Sequence, residues 1–361
     1  MAAPRMYRRK HFSLREKATI LAVFEDDLDV MSYLLQKPTH EAAIYKSYER
    51  FDFDAIPETD AKVYFRFNKP DITRLLNALQ LPETIVCPDR TVSSDLEGLC
   101  IFLRRMSYPN RLSDLEKDFG RSRSSLSIIA NTVCELILQR HGHLLHDLRQ
   151  PWLLESLNNF AEAVHDKGAP MDNIWGFTDG TVRPICRPKY NQRLVYNGHK
   201  RVHALKYQSI VVPNGMIANM FGPVEGRRHD SCLLRESGIL DDVVEFQRNG
   251  RPLALYGDPA YPLRPQLIAP YRGAALTPDE QQFNRSMSLT RVAVEWTFAK
   301  IVSEWAFLDF KKNQKIYLQP VGTQYLVGAL LTNFHTCLYG SETGQFFRLQ
   351  PPSLEDYIYG R

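Results

Sequence analysis

The sequence predicts an α/β protein: a mixed sheet flanked by helices, preceded by an all-helical region containing a helix-turn-helix. Three observations carry this expectation. Up to about residue 150, apolar residues recur at the three-and-four spacing of helices. From residue 172 the chain turns to short β-rich runs broken by Pro and Gly. Beyond those runs, helix-like and strand-like segments alternate, the pattern of a sheet covered by helices.

The elements follow in chain order. Residues 1–60 mix short helical patterns with polar and Pro breaks and read as an N-terminal extension. Residues 61–150 form the expected helical region. FRFNKPDITRLLNALQLPE opens a helix at Pro70, with Asp71 in its first turn, and ends it at Pro82. In SSDLEGLCIFLRRMSYP, Leu96, Leu99, Cys100 and Leu103 lie at helical spacing, and Ser94 or Asp95 stands where a cap belongs. LSDLEKDF is a short helix stopped by Gly120, and a second helix starts in SRSSLS with Leu126, Ile129, Val133 and Ile137 along one face. Helix, glycine turn, helix, with Arg121, Ser122 and Arg123 at the second N-terminus, fits a DNA-binding helix-turn-helix; an ordinary helical hairpin fits the same pattern.

The α/β domain is expected over residues 172–338. DNIWGFTDGTVRPIC, HALKYQSIVVP and MIANMFGPVEG read as strands, HDSCLLRESGILDDVVEF as one helix and LALYGDP as a short buried strand. SMSLTRVAVEWTFAKIVSEWAFL and TQYLVGALLTNFHTCL read as helices. Residues 339–361 read as a loosely structured tail.

Composition narrows the function classes. A hydrophobic fraction of 44% and a charged fraction of 24% over 361 residues are those of a globular protein with a sizeable core. No run approaches the roughly 20 apolar residues of a membrane span, so a membrane partner is not expected. Six scattered cysteines without a CxxC pair, and a start lacking a secretory apolar stretch, point to reduced thiols in the nucleus or cytosol. Cys134, His141, His143 and His146 follow no familiar zinc spacing. The net charge of +4 is mild, but its placement is not. Between Gly180 and Val224 there is no acid, while Arg183, Arg187, Lys189 and Arg193 all fall there, with Tyr190 and Tyr196 available for stacking on a base. The basic N-terminal run MYRRK reads as a solvated tail or a nuclear-import patch.

Three carboxylates stand out. Asp179 ends the strand-like IWGFT, Asp258 ends LALYG, and Glu295 lies within the helix-like RVAVEWTFAK. Each has a plain alternative. Asp179-Gly180 encodes a hairpin turn, Gly-Asp-Pro around Asp258 is a turn, and Arg291 one helical turn before Glu295 is available to pair with it. Taken together, an acid after a first strand, one after a later strand and one in the following helix reproduce the RNase H-like catalytic order. Such a set of oxygen ligands suits Mg²⁺ or Mn²⁺ and metal-assisted phosphodiester chemistry. Asp230 is a candidate accessory acid or the N-cap of the helix it opens, and His229 a candidate for orienting a water or phosphate.

The motifs FTDGT, YNGHKRVHALKYQSIVVPNGMIANMFGPVEGRRHDS, LYGDPAY and VEWTFAKIVSEW, in this order, resemble the PIF/Harbinger-type transposases with a DDE endonuclease domain. The likeness spans roughly residues 172–335, and the segment at about 92–140 is similar to the region preceding that domain in the family. Where family members often carry Gly-Asp-Ser/Ala-Gly-Tyr, this chain has Gly-Asp-Pro-Ala-Tyr. The resemblance implies an RNase H-like fold in which Asp179, Asp258 and Glu295 bind two Mg²⁺ or Mn²⁺ ions and cleave or transfer double-stranded DNA. It further implies a homo-oligomer on DNA and a separate Myb-like DNA-binding partner. Competing readings are a catalytically retired DNA-binding or adaptor protein of the same descent and an RNase H-like nuclease acting on RNA.

Overall fold

The structure, a computed structural model, describes residues 48–246 and 252–360. The residues from Glu49 onward form one compact unit. The basic MYRRK run and almost all of the expected extension lie outside the described residues.

The helical region opens with α1 (Glu58–Phe65) and α2 (Lys69–Leu79). A small antiparallel hairpin of β1 (Thr84–Val86) and β2 (Val92–Ser94) follows, which the sequence pattern did not announce. Helix α3 (Asp95–Ser107) starts where Ser94, rather than Asp95, caps it: the Ser94 hydroxyl accepts the Glu97 N–H at 3.2 Å. Helix α4 (Leu112–Phe119) stops at Gly120, whose φ of +61° is the left-handed conformation that glycine adopts without strain. A side chain there is also barred, since a Cβ would fall 2.3 Å from the Glu49 carbonyl oxygen. Ser122 then caps α5 (Arg123–His141).

Helix-turn-helix connectivity is therefore present, but α5 is not a free reading helix. Leu126, Ile129, Ala130, Val133, Cys134 and Ile137 are all buried, and α5 packs on α3, α4 and the later helix α11. Its exposed positions are confined to residues 122–124, Glu135 and the last turn. Its N-terminal residues 122–124 are open to solvent while the rest of the helix is packed, so both the DNA-binding helix-turn-helix and the ordinary helical hairpin fit this geometry. Helix α6 (Pro151–Asp166), which the reading of the sequence left unassigned, buries Trp152, Leu153, Leu157, Phe160 and Val164 and packs on the first long strand.

The sheet is built from β3 (Ile174–Pro184), β5 (Val202–Val211), β6 (Ile217–Glu225), β7 (Ala254–Gly257) and β8 (Leu267–Ile268), with a two-residue β4 (Tyr196–Asn197) beside β5. A short helix, α7 (Gln192–Val195), precedes β4. Across the sheet the order is β6–β5–β3–β7–β8. Strand β5 runs antiparallel to both β6 and β3; β7 and β8 run parallel to β3. Ile174 to Thr178 are buried without alternation, which requires cover on both faces of the sheet.

Between β6 and β7 the expected single helix is two, α8 (Asp230–Glu236) and α9 (Ile239–Phe246). Gly238 at φ +66° breaks it. The long α10 (Pro278–Glu304) opens with a capping box between Thr277 and Glu280 and lies against β3. Helix α11 (Val321–Tyr339) is buried along nearly its whole length, touching α5, β6 and α10. Its Asn333 bonds both the N–H and the carbonyl of Ile217 on β6 and donates to the Tyr357 hydroxyl. Tyr357 belongs to α13 (Leu354–Tyr359), which follows α12 (Glu342–Phe347). The C-terminal segment is thus folded onto the core rather than loose, because Phe347, Leu354 and Tyr357 are buried in it.

Candidate active site

Register places two of the three predicted acids side by side. Strands β3 and β7 are parallel, and Thr178 pairs with Gly257, so Asp179, midway along β3, and Asp258, just past the end of β7, stand level with one another. The carboxyl ends of parallel strands are where α/β sheets place their ligands. Gly257 permits the approach: a Cβ there would lie 2.9 Å from both Thr178 Cγ2 and Tyr261 Cδ2.

Asp179 is not a hairpin turn, since β3 runs on to Pro184. Its Oδ1 accepts the Gly180 N–H at 2.8 Å, and its Oδ2 lies 3.0 Å from the Arg291 guanidinium. Burial pushes this carboxyl above the ordinary range. Arg291 and the Gly180 N–H oppose the rise, and the nearby Asp258 and Asp230 charges add to it. Asp258 does build a turn, its Oδ1 accepting the Ala260 N–H at 2.7 Å, while its Oδ2 faces the same guanidinium at 3.9 Å. Turn and site are compatible readings of one residue.

Arg291 was expected as a partner for Glu295. Instead it reaches back from α10 to the two aspartates. Glu295 lies one helical turn further along, exposed, with no ion pair or hydrogen bond of its side chain among the described residues. Helix α10 also presents apolar residues to solvent, Leu289 and Val292 being 65% and 40% exposed. Among the described residues no three His, Cys, Asp or Glu side chains stand close enough to hold a metal ion. The structure therefore brings Asp179 and Asp258 together and leaves Glu295 beside, rather than in, their cluster.

Asp230 joins the cluster from the other side. It is the first residue of α8 rather than its cap; His229 holds the cap position without a side-chain cap bond and is exposed. The Asp230 carboxylate pairs at 2.6 Å with the buried Lys206, which also donates to the Arg228 carbonyl at 2.8 Å. A Cβ on Gly180 would lie 2.9 Å from Asp230 Oδ1, so the glycine after Asp179 makes room for the accessory acid. Lys206 and Arg291 were missed as site residues. Lys206 had a legible signal, a lysine between Leu205 and Tyr207 inside a strand-like run, where burial requires an anion.

The basic residues divide. Arg121 forms a two-pronged ion pair with Glu97 at 2.5 and 2.6 Å, most of it shielded from solvent, so it serves the fold rather than a phosphate. Ser122 is engaged as a cap, and Arg123 is exposed, 3.5 Å from Glu116. Arg183 lies over the Tyr325 ring and donates to its hydroxyl at 2.9 Å. Arg187, Lys189 and Arg193 are exposed. His141, one of the weighed zinc ligands, is bonded through Nε2 to the Leu79 carbonyl, and burial holds its imidazole below the ordinary range.

Residues 178–333 match the DDE superfamily endonuclease family, and this span carries a DDE superfamily endonuclease domain. The match covers Asp179, Asp258 and Glu295 alike. Among curated proteins, the chain is 25% identical over 226 residues to "Protein ALP1-like" of Arabidopsis thaliana, covering 59% of this chain. The chain spans about half the length of that relative, 54%. No solved structure matches the chain.

The superfamily generally uses divalent metals. The residues fit such an ion in chemistry: the donors are carboxylate oxygens, and Asp179 is held above the ordinary range by burial first and by the Asp258 and Asp230 charges second, a penalty that a cation offsets. In the structure the guanidinium of Arg291 is the cation between them.

Proposed function

We propose that the chain is a metal-dependent DNA endonuclease or strand transferase of the PIF/Harbinger type, with Asp179, Asp258 and Glu295 as the acids that hold two Mg²⁺ or Mn²⁺ ions. The observation that carries the reading is the level placement of Asp179 and Asp258 on adjacent parallel strands, with Arg291 of α10 reaching both. The strand order β6–β5–β3–β7–β8, three antiparallel strands followed by two parallel, supports the RNase H-like form of the domain.

When bound, such ions polarise the scissile phosphodiester and lower the pKa of the attacking water or 3′-hydroxyl. The chain's own residues do the rest. The Gly180 and Ala260 N–H groups fix the two aspartates, each leaving one carboxylate oxygen for ligation. Lys206 holds Asp230 against Gly180, setting the charge around Asp179. With a metal held by the carboxylates, Arg291 would be free to donate to a phosphate oxygen. Double-stranded DNA is the substrate on this reading, bound by an oligomer of the chain in the nucleus and brought to its sites by a Myb-like partner.

One observation favours a second reading. Arg291 already neutralises Asp179 and Asp258, and Glu295 stands apart from them, as suits a DNA-binding or adaptor descendant that has given up cleavage. Nicking of supercoiled DNA in Mg²⁺ or Mn²⁺ separates the two. The enzyme reading expects metal-dependent nicking that falls by more than about 100-fold in each of Asp179→Ala, Asp258→Ala and Glu295→Ala, beyond the 10–100-fold typical of outer-shell partners. Wild-type nicking by any of the three would sink the assignment of that residue. Absence of nicking, with and without a Myb-like partner, would favour the retired form.

A further inference from the structure

A second basic segment lies beside the acid-free loop. After α10 the chain runs Asp309-Phe310-Lys311-Lys312-Asn313-Gln314-Lys315-Ile316-Tyr317, distant in sequence from residues 186–201 but bound to them. The Cys186 N–H donates to the Gln314 carbonyl at 2.9 Å, and the Tyr317 hydroxyl donates to the Tyr190 carbonyl at 3.2 Å. The Tyr190 and Tyr317 rings meet edge to face at 6.2 Å. Arg187 and Lys311 both act on His203, and with burial they hold its imidazole below the ordinary range. The two segments make one surface.

On that surface Arg187, Lys189, Arg193, Lys311, Lys312 and Lys315 are all exposed. None forms an ion pair with a carboxylate among the described residues, and Asp309, at the margin, is the sole acid of the second segment. Unpaired like charges repel one another, and a polyanion relieves that repulsion. Tyr190 and Tyr317, 59% and 54% exposed, sit among the cations, with Phe310 and Leu318 also exposed in the second segment.

We propose that these two segments form a single duplex-binding face that tracks the DNA phosphate backbone away from Asp179 and Asp258; this rests on the reading of the chain as acting on DNA. Strand β3 links the two places directly. From Asp179 to Pro184 is five residue steps, about 17 Å at roughly 3.3 Å each, the length of about five base pairs. The face therefore grips flanking duplex while the acids address the scissile bond.

The test is fluorescence-anisotropy binding of a random-sequence duplex over a salt series, without divalent metal and in the Asp258→Ala background, so that cleavage does not enter. The triple variant Lys311→Glu/Lys312→Glu/Lys315→Glu should bind at least tenfold more weakly, with the log–log salt slope reduced by about 2–3, near 0.9 per lost phosphate contact. The Gln triple, which keeps side-chain size, should show the same loss of slope, and circular dichroism melting should be unchanged in both. Unaltered affinity and slope in folded variants would overturn the inference even if nicking is found. Stronger attachment of the wild type to anionic phospholipid vesicles than to duplex would also overturn it. Loss of duplex binding in the variants of a chain that never nicks DNA would uphold it independently of the catalytic reading.

Discussion

Asp179 sits where its charged form is disfavoured: burial beside two other carboxylates raises its pKa despite Arg291. A carboxyl whose folded pKa exceeds its unfolded value near 3.8 destabilises the fold once it ionises. That cost is present above the folded pKa and fades as pH drops through it towards the unfolded one. Asp179→Asn should therefore melt higher than the wild type at neutral pH in EDTA, by roughly 2 °C, with the gap closing on acidification. A lower melting temperature for the variant at neutral pH would mean that the Arg291 pair outweighs burial. Stability given up at one carboxylate is what a site that needs a cation is expected to show. At this scale the aspartates were legible, because a carboxylate closing an apolar run demands a partner. Their partner was not: nothing local tells Arg291 to choose these aspartates over Glu295, four residues away on its own helix.

Elements whose ends are written in local chemistry matched the sequence best. Ser94 and Gly120 mark boundaries by a capping hydrogen bond or a positive φ, which depend on few neighbours, whereas α10 starts at Pro278 behind its Thr277 cap, ahead of the expected start at Ser286. The break at Gly238 was equally local and was overlooked within a helical pattern. Helix α11 shows what packing adds. Its His335 is partly buried beside Phe67 and Tyr339, and desolvation with Lys300, Lys62 and Arg66 nearby lowers its imidazole from 6.5 to about 3. Below pH 6.5 the unfolded chain takes a proton that the folded chain refuses until about pH 3, so stability falls across that window. Replacing His335 with Gln should flatten the loss between pH 7 and 4, read as the urea midpoint at each pH. An unchanged acid limb would show that His335 titrates normally in the folded chain.

The whole molecule corrects the division into modules. The expected boundary between residues 150 and 172 is bridged by α6, and α11 packs both on α5 of the helical region and on β6 of the sheet. One core cluster includes Phe65, Leu126 and Val133 together with Phe177, Ile217 and Leu330. A fragment of residues 61–150 should consequently lack a cooperative melt, showing partial helicity with no sigmoidal transition by circular dichroism, since its apolar faces have lost their partners. A sharp, reversible transition would restore the independent helix-turn-helix module.

By itself the sequence determined the α/β class, the positions of most helices and strands, and the acids Asp179 on β3 and Asp258 after β7. Those features depend on periodicity, caps and the cost of burying a charge, all of which act within a few residues. Only tertiary structure decided that Arg121 belongs to Glu97, that Arg291 bridges Asp179 and Asp258, and that residues 309–318 join residues 186–201 in one basic face. Which cation meets which anion depends on how distant segments pack, and no local pattern encodes that choice.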